Sequence, residues 1–367
     1  MQLRMLYQFN FRPYHRRFKQ PLQTSHGIWD VREGIILRLS DETGRVGWGE
    51  IAPIPWFGSE TFEQAWEFCQ QLPPKITIAD ILSIPAELPA CQFGFESAWE
   101  QGSRGAGEAG GAGEAEGDGE KSPITHYPLP TSQSKIQNRS TALRQAQEPR
   151  SRRSPKSKIP YSCLLPTGKA ALQAWQTSWN RGHRTFKWKI GVAVIADELE
   201  VFDQLIQSLP QSVQLRLDAN GGLTQQEAHH WLKVCDQVGR VEFLEQPLPP
   251  KQFNVMLEMC DRYSTPIALD ESVATLDQLE ECYQRGWGGI FVIKAAIAGS
   301  PKRLRQFCQT HDIDTVFSSV FETAIAKQAA LQLAAELSRQ PRAVGFGVNC
   351  WFDEEDETFL KRLWNIH

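Results

Sequence analysis

From about residue 159 onward, short apolar runs of strand character recur at nearly constant spacing, and helical periodicity fills the gaps between them. The runs are 161–165, 185–190, 213–218, 241–245, 266–270, 289–294, 315–319 and 343–347. Alternating β and α units of this period predict a parallel sheet with helices outside it. Eight such units predict a closed (β/α) barrel rather than an open sheet. Gln225–Val238 and Ala324–Leu337 carry the clearest crossover-helix periodicity.

Residues 1–100 read differently. Ile35-Ile36-Leu37-Arg38-Leu39 and Val46-Gly47-Trp48-Gly49-Glu50 read as strands joined by the turn Asp41-Glu42-Thr43-Gly44, and residues 61–72 read as a helix. This predicts a separate α+β domain ahead of the barrel. Between the two, residues 101–158 collapse into low complexity, first GAGEAGGAGEAEGDGE and later EPRSRRSPKSK. So few large apolar residues cannot offset the chain entropy of ordering, which predicts a disordered insertion. The predicted division is 1–100, 101–158, 159–347 and a tail, 348–367.

Composition narrows the partners. With 367 residues, 22% charged and a net charge of -4, the chain carries no signature of nucleic-acid or membrane binding. The N-terminal stretch lacks an apolar core of signal-peptide length, and no later run is long enough to span a bilayer. The eight cysteines are scattered without a metal-type or disulfide-type spacing, so a cytoplasmic location is expected. Arg12, Arg16, Arg17 and Lys19 form a basic cluster, read either as a solvated edge strand or loop, or as a lip attracting an anionic substrate.

The polar residues at the strand ends carry the chemistry. In a barrel, catalytic groups stand at the C-terminal ends of strands. Here those ends carry Lys187 and Lys189, then Asp218, Glu245, Asp270 and Lys294, the last four spaced 27, 25 and 24 residues apart. Each gap is one βα unit, so neighbouring strands aim these side chains at one point. A lone Asp ending a strand is usually a turn former or helix cap, but three acids in register between lysines call for another explanation. Three converging carboxylates need a cation to stay ionised, and an all-oxygen set suits Mg²⁺ or Mn²⁺ better than zinc. In Thr185-Phe186-Lys187-Trp188-Lys189 the lysines lie two apart and share the inward face. Burial beside a second ammonium and a metal lowers a lysine pKa, as a lysine base requires. Arg216, on the Asp218 face, either pairs with a ligand carboxylate or holds the acids in place.

At these residues the chain resembles the enolase superfamily. Lys187-Trp188-Lys189, Asp218-Ala219-Asn220, Glu245-Gln246-Pro247, Asp270-Glu271-Ser272 and Lys294 appear in that superfamily's order. Gly47-Trp48-Gly49-Glu50-Ile51-Ala52-Pro53, Phe93-Gly94-Phe95-Glu96-Ser97-Ala98, Leu164-Leu165-Pro166 and Phe317-Ser318-Ser319-Val320-Phe321-Glu322-Thr323 are most similar to its o-succinylbenzoate synthase family, in the muconate-lactonizing-like branch. The resemblance implies an α/β fold, a modified (β/α)7β TIM barrel under an N-terminal α+β capping domain, with the tail returning to the cap. It implies Mg²⁺ held by Asp218, Glu245 and Asp270, Lys189 as general base, Lys294 stabilising the intermediate as a cation from the opposite side, and Lys187 supporting the enediolate and tuning Lys189. It places Ser318 and Gly345 at the substrate carboxylate end, and Asn220 and Arg216 near the metal.

The implied activity is that of a lyase of menaquinone or phylloquinone synthesis: dehydration of 2-succinyl-6-hydroxy-2,4-cyclohexadiene-1-carboxylate to 2-succinylbenzoate. A proton beside a carboxylate is weakly acidic, and a dication stabilises charge that grows only in the transition state. The expected partner is a small carboxylate, with the chain a monomer or homo-oligomer. Two other readings stand beside this one. An N-acylamino acid racemase or dipeptide epimerase would use the same two-sided lysines, although no Asp-x-Asp follows the eighth strand at Gly345-Phe346-Gly347-Val348-Asn349. A non-catalytic binding barrel would be expected to have lost an acid or a lysine, and none is missing. Residues 23–27 and 53–58 are the expected substrate-reading loops of the cap.

Overall fold

A computed structural model describes residues 5–24, 27–104, 159–347 and 351–364. The low-complexity segment beyond residue 104, residues 25 and 26 of the first substrate-reading loop and residues 348–350 lie outside the described residues.

The N-terminal region is an antiparallel sheet backed by helices. Strands β1 (Leu6–Thr24), β2 (Gly27–Ser40), β3 (Val46–Ile51) and β4 (Lys75–Thr77) lie in the order β3-β2-β1-β4. The Asp41 carboxylate closes the β2–β3 turn by accepting from the Thr43 and Arg45 backbone N–H groups, and Gly44 supplies the positive φ. The helix Phe62–Gln71 starts at a capping box made by Thr61 and Gln64.

The helix Pro89–Arg104, not anticipated from sequence, packs directly onto β3. A Cβ at Gly47 would lie 1.8 Å from the Ala98 carbonyl oxygen, and one at Gly49 would lie 2.0 Å from that of Gly94. Only glycine allows this approach. The period of two then sends Trp48 and Glu50 to the opposite face, where Trp48 meets Trp364 edge-on.

The second region is a barrel. Seven parallel strands, β5 (Ser162–Leu164), β6 (Thr185–Lys189), β7 (Gln214–Asp218), β8 (Val241–Glu245), β9 (Ile267–Leu269), β10 (Ile290–Ile293) and β11 (Asp314–Phe317), hydrogen-bond in chain order. The predicted eighth strand is reduced to two parallel bridges, Tyr161 with Val344 and Ser318 with Gly345, which close the ring. Its glycines explain the close seam: a Cβ at Gly347 would lie 2.4 Å from the Ser162 carbonyl oxygen. The helices Gln225–Val238 and Ala324–Leu337 lie where periodicity placed them.

Alternation sorts the side chains. Phe186, Trp188, Leu215, Leu217 and Leu244 join the layer between sheet and helices, where Trp188 and Phe202 meet Trp231 edge-on. Phe243, Ala268, Ile290, Val292 and Val316 form a separate cluster inside the ring. Below them a register shift places Arg216 opposite Phe243 and leaves Glu242 as the extra residue of a bulge. Glu242 then pairs with Arg216 and Arg342, both at 2.7 Å, and Arg342 also pairs with Asp314 at 2.6 Å.

Polar contacts join cap, barrel and tail, among them those of Glu50 and Arg16. Glu50, fully buried, accepts from the Tyr14 hydroxyl at 2.6 Å, the Thr323 backbone N–H at 2.9 Å and the Ala326 N–H at 3.2 Å, at the start of the helix Ala324–Leu337. Burial and the neighbouring Glu50 carboxylate keep the Tyr14 phenol protonated. Arg16 reaches Asp356 and the Glu354 carbonyl and stacks on Phe352 and Phe359, while Arg12 lies over Trp364. Arg17 pairs with Asp30. The basic cluster is therefore neither a substrate lip nor wholly solvated: Arg12 and Arg16 hold the tail helix Asp356–Trp364.

Replacing Glu50 strips several buried donors of their acceptor at once. Glu50→Ala is expected to cost about 3 kcal/mol in urea unfolding, and Tyr14→Phe about 1 kcal/mol. A cost for Glu50→Ala no larger than that of Tyr14→Phe would mean that this contact does not couple cap to barrel.

Candidate active site

Strand register brings the sequence-predicted residues to one rim. Lys189 is the neighbour of Asp218, and Asp218 the neighbour of Glu245, on three adjacent strands. Asp270 lies two residues beyond Ala268, the strand neighbour of Glu245, and Lys294 directly follows β10. The three acids are buried, and Lys187, Lys189 and Lys294 are partly so.

Tight backbone turns follow two of the acids. Asn220 and Gln246 adopt positive φ, at 44° and 36°, where non-glycine residues are rare. The Asn220 N–H donates to Asp218 at 3.0 Å, and its side-chain amide donates to Glu271 at 3.2 Å. Gln246 has no exposed surface. Its oxygen accepts from the Asp270 N–H at 2.9 Å, and its nitrogen donates to the Ser272 hydroxyl at 2.7 Å and the Leu248 carbonyl at 2.8 Å. One amide thus fixes the end of β8 against the turn that carries Asp270.

The charges partition unevenly. Lys187 Nζ is 2.8 Å from both Asp218 and Glu245, and Lys294 pairs with Asp270. Lys294 Nζ also lies 3.9 Å from the centroid of the Phe57 ring, which comes from the cap loop expected to read substrate. Lys189 has no hydrogen-bond or ion-pair partner among the described residues.

Burial raises Glu245 to about 8 and Asp270 to about 6, with the neighbouring acids adding to the effect and Lys187 and Lys294 opposing it. Burial would raise Asp218 too, but the Lys187 ammonium overrides it and holds that carboxyl low. Burial pulls Lys187 down, yet the surrounding carboxylates outweigh it and raise its pKa. Lys187 is therefore a fixed ammonium rather than a depressed one, because it faces acids and not a second cation.

Other expectations need adjusting. Arg216 does not reach the acids. It pairs with Glu242 beneath them and lies over Phe243 at 4.8 Å, while one terminal guanidinium nitrogen is buried without a partner among the described residues. Ser318 and Gly345 stand together at the seam: a Cβ at Gly345 would lie 2.6 Å from Ser318 Oγ.

Sequence reading missed several residues. Glu271, beside Asp270, has one carboxylate oxygen buried without a partner among the described residues, and burial and Asp218 raise its pKa. Glu198 gathers the backbone N–H groups of Gly191, Val192 and Ala193 at 2.8 to 3.0 Å and so shapes the loop that follows Lys189. Glu271 stood within a quoted motif, whereas the role of Glu198 depends on loop geometry.

Among the described residues no three His, Cys, Asp or Glu side chains stand in ready metal-binding geometry. The acids are turned instead onto the ammonium groups of Lys187 and Lys294. Even so, two of the three remain hard to ionise. A buried, all-oxygen donor set with that demand for positive charge fits a hard dication.

Comparison with known proteins agrees with this architecture. Residues 170–359 match the family described as "Enolase C-terminal domain-like", and residues 14–101 match "MenC, N-terminal domain". The class is thus the enolase superfamily. An o-succinylbenzoate synthase of Thermosynechococcus vestitus is 37% identical, with 97% of this chain and 98% of that one covered. A crystal structure of o-succinylbenzoate synthase from Thermosynechococcus elongatus BP-1, complexed with Mg in the active site, superposes with a TM-score of 0.77 at 36% identity, covering 98% and 99% of the two chains. A dipeptide epimerase from Enterococcus faecalis V583 has a TM-score of 0.71 at 18% identity, covering 96% and 92%, which is a likeness of fold alone. This chain belongs to the o-succinylbenzoate synthase family and is an enzyme of the enolase superfamily.

The buried acids set a pH dependence. Glu245 and Asp270 have folded pKa values of about 8 and 6, above the ordinary 4.5 and 3.8. Stability from such groups is fully present below the unfolded pKa and is lost as pH rises through the folded one. With EDTA present, the melting temperature is expected to fall as pH rises from about 5 to about 8.5. A melting temperature that is constant or rising over that range would show that these acids are not held as described.

Proposed function

We propose that the chain removes water from 2-succinyl-6-hydroxy-2,4-cyclohexadiene-1-carboxylate to give 2-succinylbenzoate, with Mg²⁺ held by Asp218, Glu245 and Asp270. The observation that carries this is the division among the lysines. Lys187 and Lys294 are committed to carboxylates, and Lys189, abreast of Asp218, is left without a partner among the described residues. Family membership supplies the substrate.

In this reading Lys189 takes the proton beside the ring carboxylate and, now an ammonium, delivers it to the departing hydroxyl. One proton and one hydroxide leave as water, and the ring becomes aromatic, so a single residue suffices as base and acid. Bound Mg²⁺ supplies a Lewis acid that stabilises the growing negative charge on the carboxylate. Lys187 keeps positive charge beside Asp218 and Glu245. Lys294, from a strand across the ring, faces the intermediate from the other side, and Phe57 covers it. Asn220 and Gln246 hold the acid-bearing turns, while Ser318 and Gly345 stand at the carboxylate end of the substrate. The capping domain, bounded at residue 100 from sequence, runs on through the helix Pro89–Arg104, and the low-complexity segment after it links the cap to the barrel, with 348–367 as the tail. Among the described residues, no helix is long and apolar enough to cross a membrane, and the enzyme is assigned to the cytoplasm.

The two lysines on opposite sides of the ring also fit a racemase of N-acyl amino acids, in which each exchanges a proton with one face. Both readings are tested by incubating the protein with the cyclohexadiene and Mg²⁺ and following the loss of its absorbance. Turnover is expected to vanish with EDTA, and Lys189→Ala is expected to lower kcat by about 10³-fold or more. No turnover by folded, Mg²⁺-binding wild-type protein, together with α-proton exchange of N-acyl amino acids in D₂O, would replace the synthase by the racemase.

A further inference from the structure

Arg32, on β2 of the cap, is 1% exposed. Its guanidinium pairs with no carboxylate among the described residues. A buried charge in that position is stable only if its donors are satisfied, and here backbone carbonyls satisfy them. Nε donates to Val320 at 3.1 Å, one terminal nitrogen to Glu33 at 2.6 Å and Pro53 at 2.9 Å, and the other to Ala52 at 2.5 Å. Trp29 lies over it at 5.5 Å.

Glu33 is the neighbouring residue on β2, but the other three carbonyls belong to two loops, Ala52 and Pro53 to one in the cap and Val320 to one in the barrel. Ala52 and Pro53 lead into Pro55–Phe57, whose last residue lies on Lys294. Val320 lies two residues beyond Ser318. The Val320 peptide is pinned on both sides, because its own N–H donates to Glu322 at 2.6 Å while its carbonyl accepts from Arg32. Phe321 then takes a positive φ of 61°, a conformation that persists in a non-glycine residue only where neighbours over-determine it.

We propose that Arg32 is a positioning residue that sets the distance between the cap loop carrying Phe57 and the barrel loop carrying Ser318, and so sets the width of the substrate's seat. This rests on the synthase reading. A guanidinium is a rigid planar fork, and its fixed donor directions fix the spacing of the carbonyls around it. A lysine would keep the charge but not the fork.

The test compares wild type with Arg32→Lys in the full chain, in the same absorbance assay, with Mg²⁺-induced thermal stabilisation measured on both. The acids sit on barrel strands that Arg32 does not touch, so the stabilisation by Mg²⁺ is expected to be unchanged. KM is expected to rise about tenfold or more while kcat stays within about threefold, the pattern of a misplaced substrate on intact chemistry. An unchanged KM, with activity lost only in proportion to unfolded protein, overturns the proposal, as does loss of the Mg²⁺ effect. If the wild type itself does not turn over, the synthase reading fails. In that case, or if the variant does not fold, hydrogen exchange on the wild type decides the proposal. Residues 54–59 and 319–323 opening at a common rate supports one shared clamp, and opening at unrelated rates overturns it.

Discussion

Mutual repulsion among buried carboxylates organises this molecule. Asp218, Glu245 and Asp270 end consecutive strands at one rim, where each makes the ionisation of the others harder. Every nearby feature answers that charge. Lys187 bridges two of the acids and Lys294 takes the third. Asn220 and Gln246 accept unusual backbone angles to hold the turns that follow. Glu245 stays hard to ionise despite the ammonium groups, so the site can still stabilise more positive charge. The chemistry proposed for it uses that capacity.

Barrel and cap meet at the rim, and buried charges from the cap reach across, Glu50 and Arg32 among them. Glu50 accepts the first N–H groups of a barrel helix, and Arg32 gathers carbonyls from both sides. Neither has an ion-pair partner of opposite charge among the described residues of the domain it reaches. Arg32 is satisfied by backbone carbonyls, and Glu50 by backbone N–H groups together with the Tyr14 and Thr323 hydroxyls. Such contacts make the relative placement of cap and barrel precise at the rim, where Phe57 and Ser318 stand. The basic residues of β1 do similar work on the outer side, where Arg16 holds the tail helix.

Much of this was legible in the sequence. Strand-end acids one βα unit apart, and two lysines separated by one residue, can be read directly, because a barrel converts a linear spacing into a ring and a period of two into a face. Gly47 and Gly49 were visible only as part of a motif, and the helix packed upon them gives their reason. Arg216 shows where such reading stops. Its parity predicted the inward face correctly, but parity carries no height along the strand. The bulge at Glu242 placed a carboxylate one level below the acids, and Arg216 turned to it.

Fold class, the identities of the acids and lysines at the rim and the face on which they lie can be read from the chain alone. These follow from local periodicity and from strand length, which a chain carries wherever it is read. Folding decided which lysine has no partner among the described residues, that Phe57 covers Lys294, that Gln246 binds the turn at Asp270 and that Arg32 joins the two loops. Each of these joins residues from separate segments of the chain, and the contacts exist only once the barrel has closed and the cap has docked.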